Sequence, residues 1–151
     1  MAKWAYVDTS ALLKRYVAEP GRRRLLRLLA DRAVVSSAVL PVELRSALRR
    51  RTDEGALDEA RTKRTLARIA RDRAHWTLVS TTAEVLKTAE ALVAVHPVRT
   101  LDAIHVASAQ LFAARLAAAD IIFISADRRQ SAVATAIGLT SAFIATTTGS
   151  E

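Results

Sequence analysis

At 151 residues, 51% of them hydrophobic, the chain has enough apolar mass for one buried core and too much for a disordered segment. It contains no cysteine, which excludes disulfides, thiolate metal sites and thiol nucleophiles and points to a reducing compartment, the cytoplasm. A formal net charge of +8, carried mostly by arginine, favours polyanionic partners, because arginine grips phosphate with two N–H groups at once.

Read along the chain, Trp4 to Val7 is a short apolar run that stops at Asp8 and predicts a first strand; it is too short and too soon charged to be a signal peptide. Leu12, Leu13, Tyr16 and Val17 recur at helical spacing over Thr9 to Ala18, and Glu19-Pro20-Gly21 ends that helix. A second helix sets Leu25, Leu26, Leu28 and Leu29 opposite an arginine face. Ala33 to Val35 predicts a second strand ending in Ser36-Ser37. A helix from Leu40 to Arg51 follows, with Pro41 in its first turn, and Thr52-Asp53-Glu54-Gly55 breaks it. Leu57 to Arg73 is again helical, and Trp76 to Val79 is a third strand. Thr81 with Glu84 reads as a capping box opening a helix to Val95, closed by His96-Pro97. Thr100 is expected to cap the next helix, which runs to Ala118. Ile121 to Ile124 is a fourth strand, Asp127 to Ile137 a helix ended by Gly138, and Leu139 to Ala145 a fifth, edge strand. The longest apolar stretches are interrupted by Asp120 and fall short of a membrane span.

This alternation predicts a single α/β domain over residues 1–151: a three-layer sandwich with a central parallel sheet of four to five strands and helices on both faces. Such sheets place ligands beyond the carboxyl ends of their strands, which singles out Asp8 and Asp127. Glu43 and Asp102 lie in the first turns of their helices. Each acid has an ordinary explanation. Asp8 and Asp127 can cap the helices they precede, Asp127 with Gln130 resembling a capping box, and Glu43 and Asp102 sit where a helix dipole favours negative charge. As a set they have another. Four carboxylates sharing one sheet edge would repel one another unless a cation joined them. Hard divalent ions, Mg²⁺ or Mn²⁺, suit such oxygen ligands, acidify a bound water and stabilise a departing phosphodiester oxygen.

The segment Tyr6-Val7-Asp8-Thr9-Ser10-Ala11-Leu12-Leu13-Lys14 resembles the N-terminal motif of PIN domains, and of VapC toxins in particular. Glu43-Leu44-Arg45-Ser46-Ala47-Leu48 resembles their central acidic helix, and Leu101-Asp102-Ala103-Ile104-His105-Val106-Ala107-Ser108-Ala109 their third motif. Ser125-Ala126-Asp127-Arg128-Arg129 is similar to the fourth. Any one of these is common by chance; the ordered set spans nearly the whole chain. The resemblance implies a PIN-like fold and a metal-dependent endoribonuclease. Asp8, Glu43, Asp102 and Asp127 would be its catalytic ligands for Mg²⁺ or Mn²⁺, with water as nucleophile and 5′-phosphate and 3′-hydroxyl products. Ser10 and Ser125 match positions that assist the metal site. It further implies a homodimer and a cognate VapB-like antitoxin, for which Leu12, Leu13, Tyr16 and Val17 are either apolar contacts or core.

Two features depart from the family pattern. The helix after Asp102 is longer, which makes Asp120 a rival fourth ligand; Asp127 is preferred because Asp120 precedes its strand and would fall at the opposite sheet edge. Position 125 is Ser where Thr is more usual. His105 lies one helical turn beyond Asp102 and is expected to pack or hydrogen-bond near the site. Arg45, Arg49, Arg50, Arg64 and Arg68 lie on the two helices flanking Gly55 and are expected to hold the RNA backbone beside the acids; their alternative is a solvated face paired with acids such as Asp53 and Asp58. Other folds with a strand-end Asp fit less well. A haloacid-dehalogenase-like phosphatase needs a second Asp where Ser10 stands, and a receiver domain needs an early acidic pair that is missing. The remaining rival is a PIN-like module that binds RNA or a partner without cutting.

Overall fold

Strands as continuously apolar as Tyr6-Val7 and Ile121–Ile124 need cover on both faces, and the computed structural model, which describes residues 2–116 and 120–145, supplies it. The elements run β1 (Lys3–Val7), α1 (Thr9–Tyr16), α2 (Arg22–Leu29), β2 (Ala33–Ser37), α3 (Leu40–Asp53), α4 (Glu59–Arg73), β3 (Thr77–Val79), α5 (Ala83–Val95), α6 (Thr100–Arg115), β4 (Asp120–Ser125), α7 (Arg128–Ala136) and β5 (Ser141–Phe143). All neighbouring strands are parallel, in the order β3-β2-β1-β4-β5. The α/β sandwich expected from the sequence is therefore what forms.

The period of two along each strand divides the core. Ala5 and Val7 of β1, with Ile122 and Ile124 of β4, pack under α1 to α4 against Leu12, Leu25, Leu44 and Leu48. Trp4, Tyr6 and Phe123 face the other way, against Val85, Leu92, Val106 and Val133 of α5 to α7. Tyr6 stacks on Phe123 with ring centroids 5.4 Å apart, and Trp4 meets Phe112 edge-on at 5.1 Å. Leu12, Leu13, Tyr16 and Val17 are all buried. They are core, and so are not surface for an antitoxin.

Several boundaries differ from the sequence reading, each for a local reason. The cap of α5 is Thr82, whose Oγ1 accepts from Val85 N at 3.2 Å. That puts Val85, not Glu84, three residues after the cap, so the expected capping box with Thr81 does not form; Glu84 pairs with Arg115 instead. Thr100 is the first residue of α6 rather than its cap, which is the extended backbone of Arg99. The expected end of that helix at Ala118 lies outside the described residues. Helix α3 continues two residues past Arg51, where Thr52 Oγ1 bonds Leu48 O and Arg49 pairs with Asp53. Helix α4 starts at Glu59, capped by Asp58, and β5 is shorter than expected.

After α1 the chain turns at Gly21, whose φ of +87° a side chain would resist; a Cβ there would also run into Ile144 and come within 2.8 Å of Ala145 O. Beneath this turn Lys14 is 2% exposed, its Nζ 3.5 Å from Glu19 Oε2, while Arg51 holds Glu19 Oε1 at 2.5 Å. Among the described residues no helix is long and apolar enough to cross a membrane.

Candidate active site

Strand order reverses between β1 and β4: the chain leaves β1 towards β2 on one side and returns to β4 on the other. A parallel sheet opens a crevice beyond the carboxyl ends of its strands at such a point. Asp8 follows β1 directly, and Asp127 stands two residues beyond β4.

Asp8 caps α1, its Oδ1 accepting from Ala11 N at 2.9 Å, and it is 2% exposed. Ser10 Oγ lies 2.8 Å from both carboxylate oxygens, and Ser125 donates to Oδ2 at 2.7 Å. Burial raises the carboxyl's pKa above the usual range; His105, Ser125, Ala11 and Ser10 only partly offset it. The two serines also join the strand ends. Ser10 Oγ accepts from Ala126 N at 3.0 Å, and Ser125 Oγ from Asp127 N at 2.9 Å. Both residues expected to assist the site thus touch Asp8.

Glu43 reaches the crevice from the first turn of α3. Its Oε1 takes two hydrogen bonds, from Thr9 Oγ1 at 2.8 Å and from His105 Nε2 at 2.6 Å. Burial pushes this carboxyl up, but the His105 hydrogen bond and charge and the Thr9 bond outweigh it and hold the pKa below its ordinary value. Tyr6 Oη lies 3.0 Å from His105 Nδ1. Burial raises the tyrosine's pKa well above normal, so Tyr6 stays protonated, a hydroxyl able to donate to Nδ1 or accept from it. The ionised Glu43 carboxylate can only accept, which assigns a proton to Nε2. His105, 1% exposed, is thus a fixed donor to an acid.

Asp102 lies in the first turn of α6 and Asp127 caps α7, its Oδ1 accepting from Gln130 N at 2.9 Å. Gln130 does not complete a capping box; its amide instead lies 3.3 Å from Ser125 Oγ and 3.4 Å from Asp102 O, tying α7 to α6. Burial, then the charge of Asp127, raises the Asp102 carboxyl above the usual range against the pull of Arg99 and His105. Arg99 spans the pair, with Nε 3.2 Å from Asp102 Oδ2 and a terminal nitrogen 3.8 Å from Asp127 Oδ2. These residues, with Val98, Arg128 and Arg129, line a cavity of about 320 Å³.

The crevice therefore gathers Asp8, Ser10, Ser125, Asp102 and Asp127, with Glu43 joined through His105. Asp120 is elsewhere. It pairs in register with Lys3 at the opposite edge of the sheet, and Arg32 holds both its oxygens at 2.9 and 3.1 Å. Two contributors were not singled out in the sequence: Thr9 and Arg99. The spacing of Arg99 three residues before Asp102 on one helix start is the signal that could have found it.

The donor set is all oxygen and the carboxylates of Asp8 and Asp102 are under pressure to take up positive charge, which fits a hard divalent cation. The Arg99 guanidinium already stands where such a charge is needed. As they stand, no three acids or histidines among the described residues are gathered closely enough to hold one ion. Arg99 lies between two of the acids, serines wrap a third, and the fourth is turned to His105.

The arginines expected to hold RNA do not form one surface. On α4, Arg64 and Arg68 share a face with Arg61 and Thr65 and line a groove with Tyr16 and Val17. Arg68 lies over the Tyr16 ring, 5.4 Å from its centroid. The opposite face of α4, with Leu66 and Ile69, closes an apolar groove of about 950 Å³ against α3, and Arg45 and Arg49 rim it. Arg49 is paired with Asp53, and Arg50 bonds Ser46. The 3.6-residue period of α4 divides what the linear sequence presents as one basic run.

Comparison with known proteins follows the same lines. The PIN domain family model matches residues 5–136. No curated protein matches the sequence. Among solved structures, a chain of a toxin–antitoxin complex from Klebsiella pneumoniae is similar at 17% identity and a TM-score of 0.57, covering 85% of this chain and 90% of that one. The Mycobacterium tuberculosis toxin VapC20, described as cleaving the sarcin–ricin loop, is similar at 18% identity and a TM-score of 0.62, covering 90% and 96%. At such identities the likeness is one of fold.

Proposed function

The chain belongs to the PIN-domain family, and from that membership we propose that it is a divalent-metal-dependent endoribonuclease, the toxin of a VapBC-type toxin–antitoxin pair. The observation that carries this reading is the junction of Asp8 with Ser10 and Ser125 at the sheet's switch point, beside the Asp102–Asp127 pair. Asp8, Glu43, Asp102 and Asp127 would hold Mg²⁺ or Mn²⁺, which when bound supplies a more acidic water and a counter-charge for the departing oxygen.

The chain's own groups do the rest. Ser10 and Ser125 fix the Asp8 carboxylate, and Thr9 and His105 fix one oxygen of Glu43 while its Oε2 stays available. Arg128 and Arg129 at the cavity rim orient the scissile phosphate. The outer arginines, Arg45, Arg49, Arg50, Arg64 and Arg68, hold the backbone on either side with little sequence readout. Hydrolysis by water leaves a 5′-phosphate and a 3′-hydroxyl. The apolar α3–α4 groove, rimmed by arginine, suits an amphipathic, acidic antitoxin segment. Exposed Leu86, Val93 and Val95 of α5, with Leu101 of α6, offer apolar surface for a homodimer.

The test is cleavage of a panel of ribosomal, transfer and messenger RNAs by protein freed of antitoxin, with Mg²⁺ or Mn²⁺ and with EDTA. Wild type should cut only with metal, and Asp8→Asn and Asp102→Asn should each abolish cutting while the protein stays folded. A wild type that binds RNA and cuts none of the panel with either metal is a binding module instead.

A further inference from the structure

We propose that Arg99 is the resident counter-ion of the Asp102–Asp127 pair: it competes with the divalent ion for these carboxylates and, once displaced, turns its guanidinium to the RNA phosphate. This rests on the metal-site reading above and deepens it by giving the site a built-in gate.

Arg99 touches Oδ2 of both acids, the oxygens not used for helix capping in the case of Asp127. The Asp127 oxygen that does not cap its helix is the one Arg99 faces, so an ion held by this pair would compete with the guanidinium for it. The side chain is 80% exposed, so charge rather than packing holds it there. Arginine stays protonated at any working pH; it leaves only by exchange, for another cation on the acids and another anion on itself. Arg128 and Arg129 already bring positive charge to the same cavity, and with Arg99 swung outward the rim presents three arginines to a phosphate. An exposed pair of this kind is worth about two- to fivefold in an equilibrium constant, enough to measure and weak enough to displace. Because RNA would draw Arg99 off the acids, RNA and metal must each tighten the binding of the other.

The experiment measures two affinities that move in opposite directions. Mn²⁺ binding to the full chain is followed by calorimetry. Binding of a fluorescent mixed-sequence oligoribonucleotide is followed by anisotropy in EDTA, where no cutting occurs. In Arg99→Gln, Mn²⁺ should bind about two- to fivefold more tightly, while RNA binds more weakly, with a salt slope shallower by about 0.7. Arg99→Lys, a point charge that cannot fork across two carboxylates, should fall between. Arg129→Gln, at the same rim, should weaken RNA similarly and leave Mn²⁺ affinity nearly unchanged. Equal or weaker Mn²⁺ binding in Arg99→Gln than in wild type overturns the gate and leaves the nuclease reading standing. No Mn²⁺ binding to any of these proteins overturns the metal-site reading, and the gate with it.

Discussion

Asp8→Asn should stabilise the metal-free protein while removing its proposed activity. Asp8 is 2% exposed, and burial raises its pKa above the usual range. A carboxyl whose folded pKa lies above its unfolded one contributes stability at low pH and loses it as pH rises through the folded value. At neutral pH the ionised Asp8 therefore works against folding. Asparagine caps a helix as well as aspartate does and keeps an oxygen for Ala11 N. Ser10 and Ser125 can rotate their hydroxyls to accept from the new amide. Relief of a functional strain of this kind is commonly worth about 0.5–2 kcal/mol, and each kcal/mol moves Tm by about 2–4 °C in a chain of this size. Calorimetry in EDTA at several pH values measures it. The gain over wild type should be largest near neutrality and shrink towards acid pH as Asp8 takes up its proton, and Mn²⁺ should raise the Tm of wild type more than that of Asp8→Asn. A Tm that falls in Asp8→Asn by the same amount at every pH would refute the reasoning, because it would make the Asp8 carboxylate a net structural asset.

Other consequences concern residues outside the acidic crevice. Glu19→Ala leaves Lys14 buried and unpaired and should cost about 3–5 kcal/mol, seen as a lower urea midpoint at unchanged slope; Lys14→Met should be close to neutral in the same assay. Gly21→Ala combines a left-handed φ with contact on Ile144 and Ala145, and should destabilise by more than the ~1 kcal/mol by which a replacement at a compatible glycine stabilises. Arg64→Gln and Arg68→Gln should each make the salt slope of oligoribonucleotide binding shallower by about 0.7. Arg49→Gln, whose side chain is already paired with Asp53, should change it less.

Much of this was legible in the sequence. Apolar runs ending in Asp8 and just before Asp127 gave the strands and their carboxyl ends, and the helical periods between them implied parallel pairing. What the sequence hid were choices between chemically equal neighbours. Thr81 and Thr82 can both cap a helix, and only the phase of α5 against the sheet, which buries Val85 and Ala89, selects Thr82. Arg45, Arg49, Arg64 and Arg68 look alike in a list of charges, yet the turn at Gly55 and the period of α4 send them to two grooves. His105 is held between Tyr6 and Glu43, 99 and 62 residues away in the chain, contacts that no local pattern encodes.

The ordinary and the functional explanations of the acids turn out to be compatible. Asp8 and Asp127 each accept at Oδ1 from the N–H of the third residue of their own helix, and Glu43 accepts at one oxygen from Thr9 and His105. One oxygen of each of these three acids is thereby anchored to a rigid element, serine hydroxyls hold the second oxygen of Asp8 as well, and Asp102 is held by Arg99. As the proposed ligand set, these acids would keep their bearings without an ion, since the hydrogen bonds that orient them do not depend on what they bind. The cost is burial for Asp8, offset in part by serine hydroxyls, and burial with the charge of Asp127 for Asp102, offset by Arg99. Capping is thus how the fold aims Asp8 and Asp127, and an acid at such a position cannot be dismissed as a site residue because it also caps.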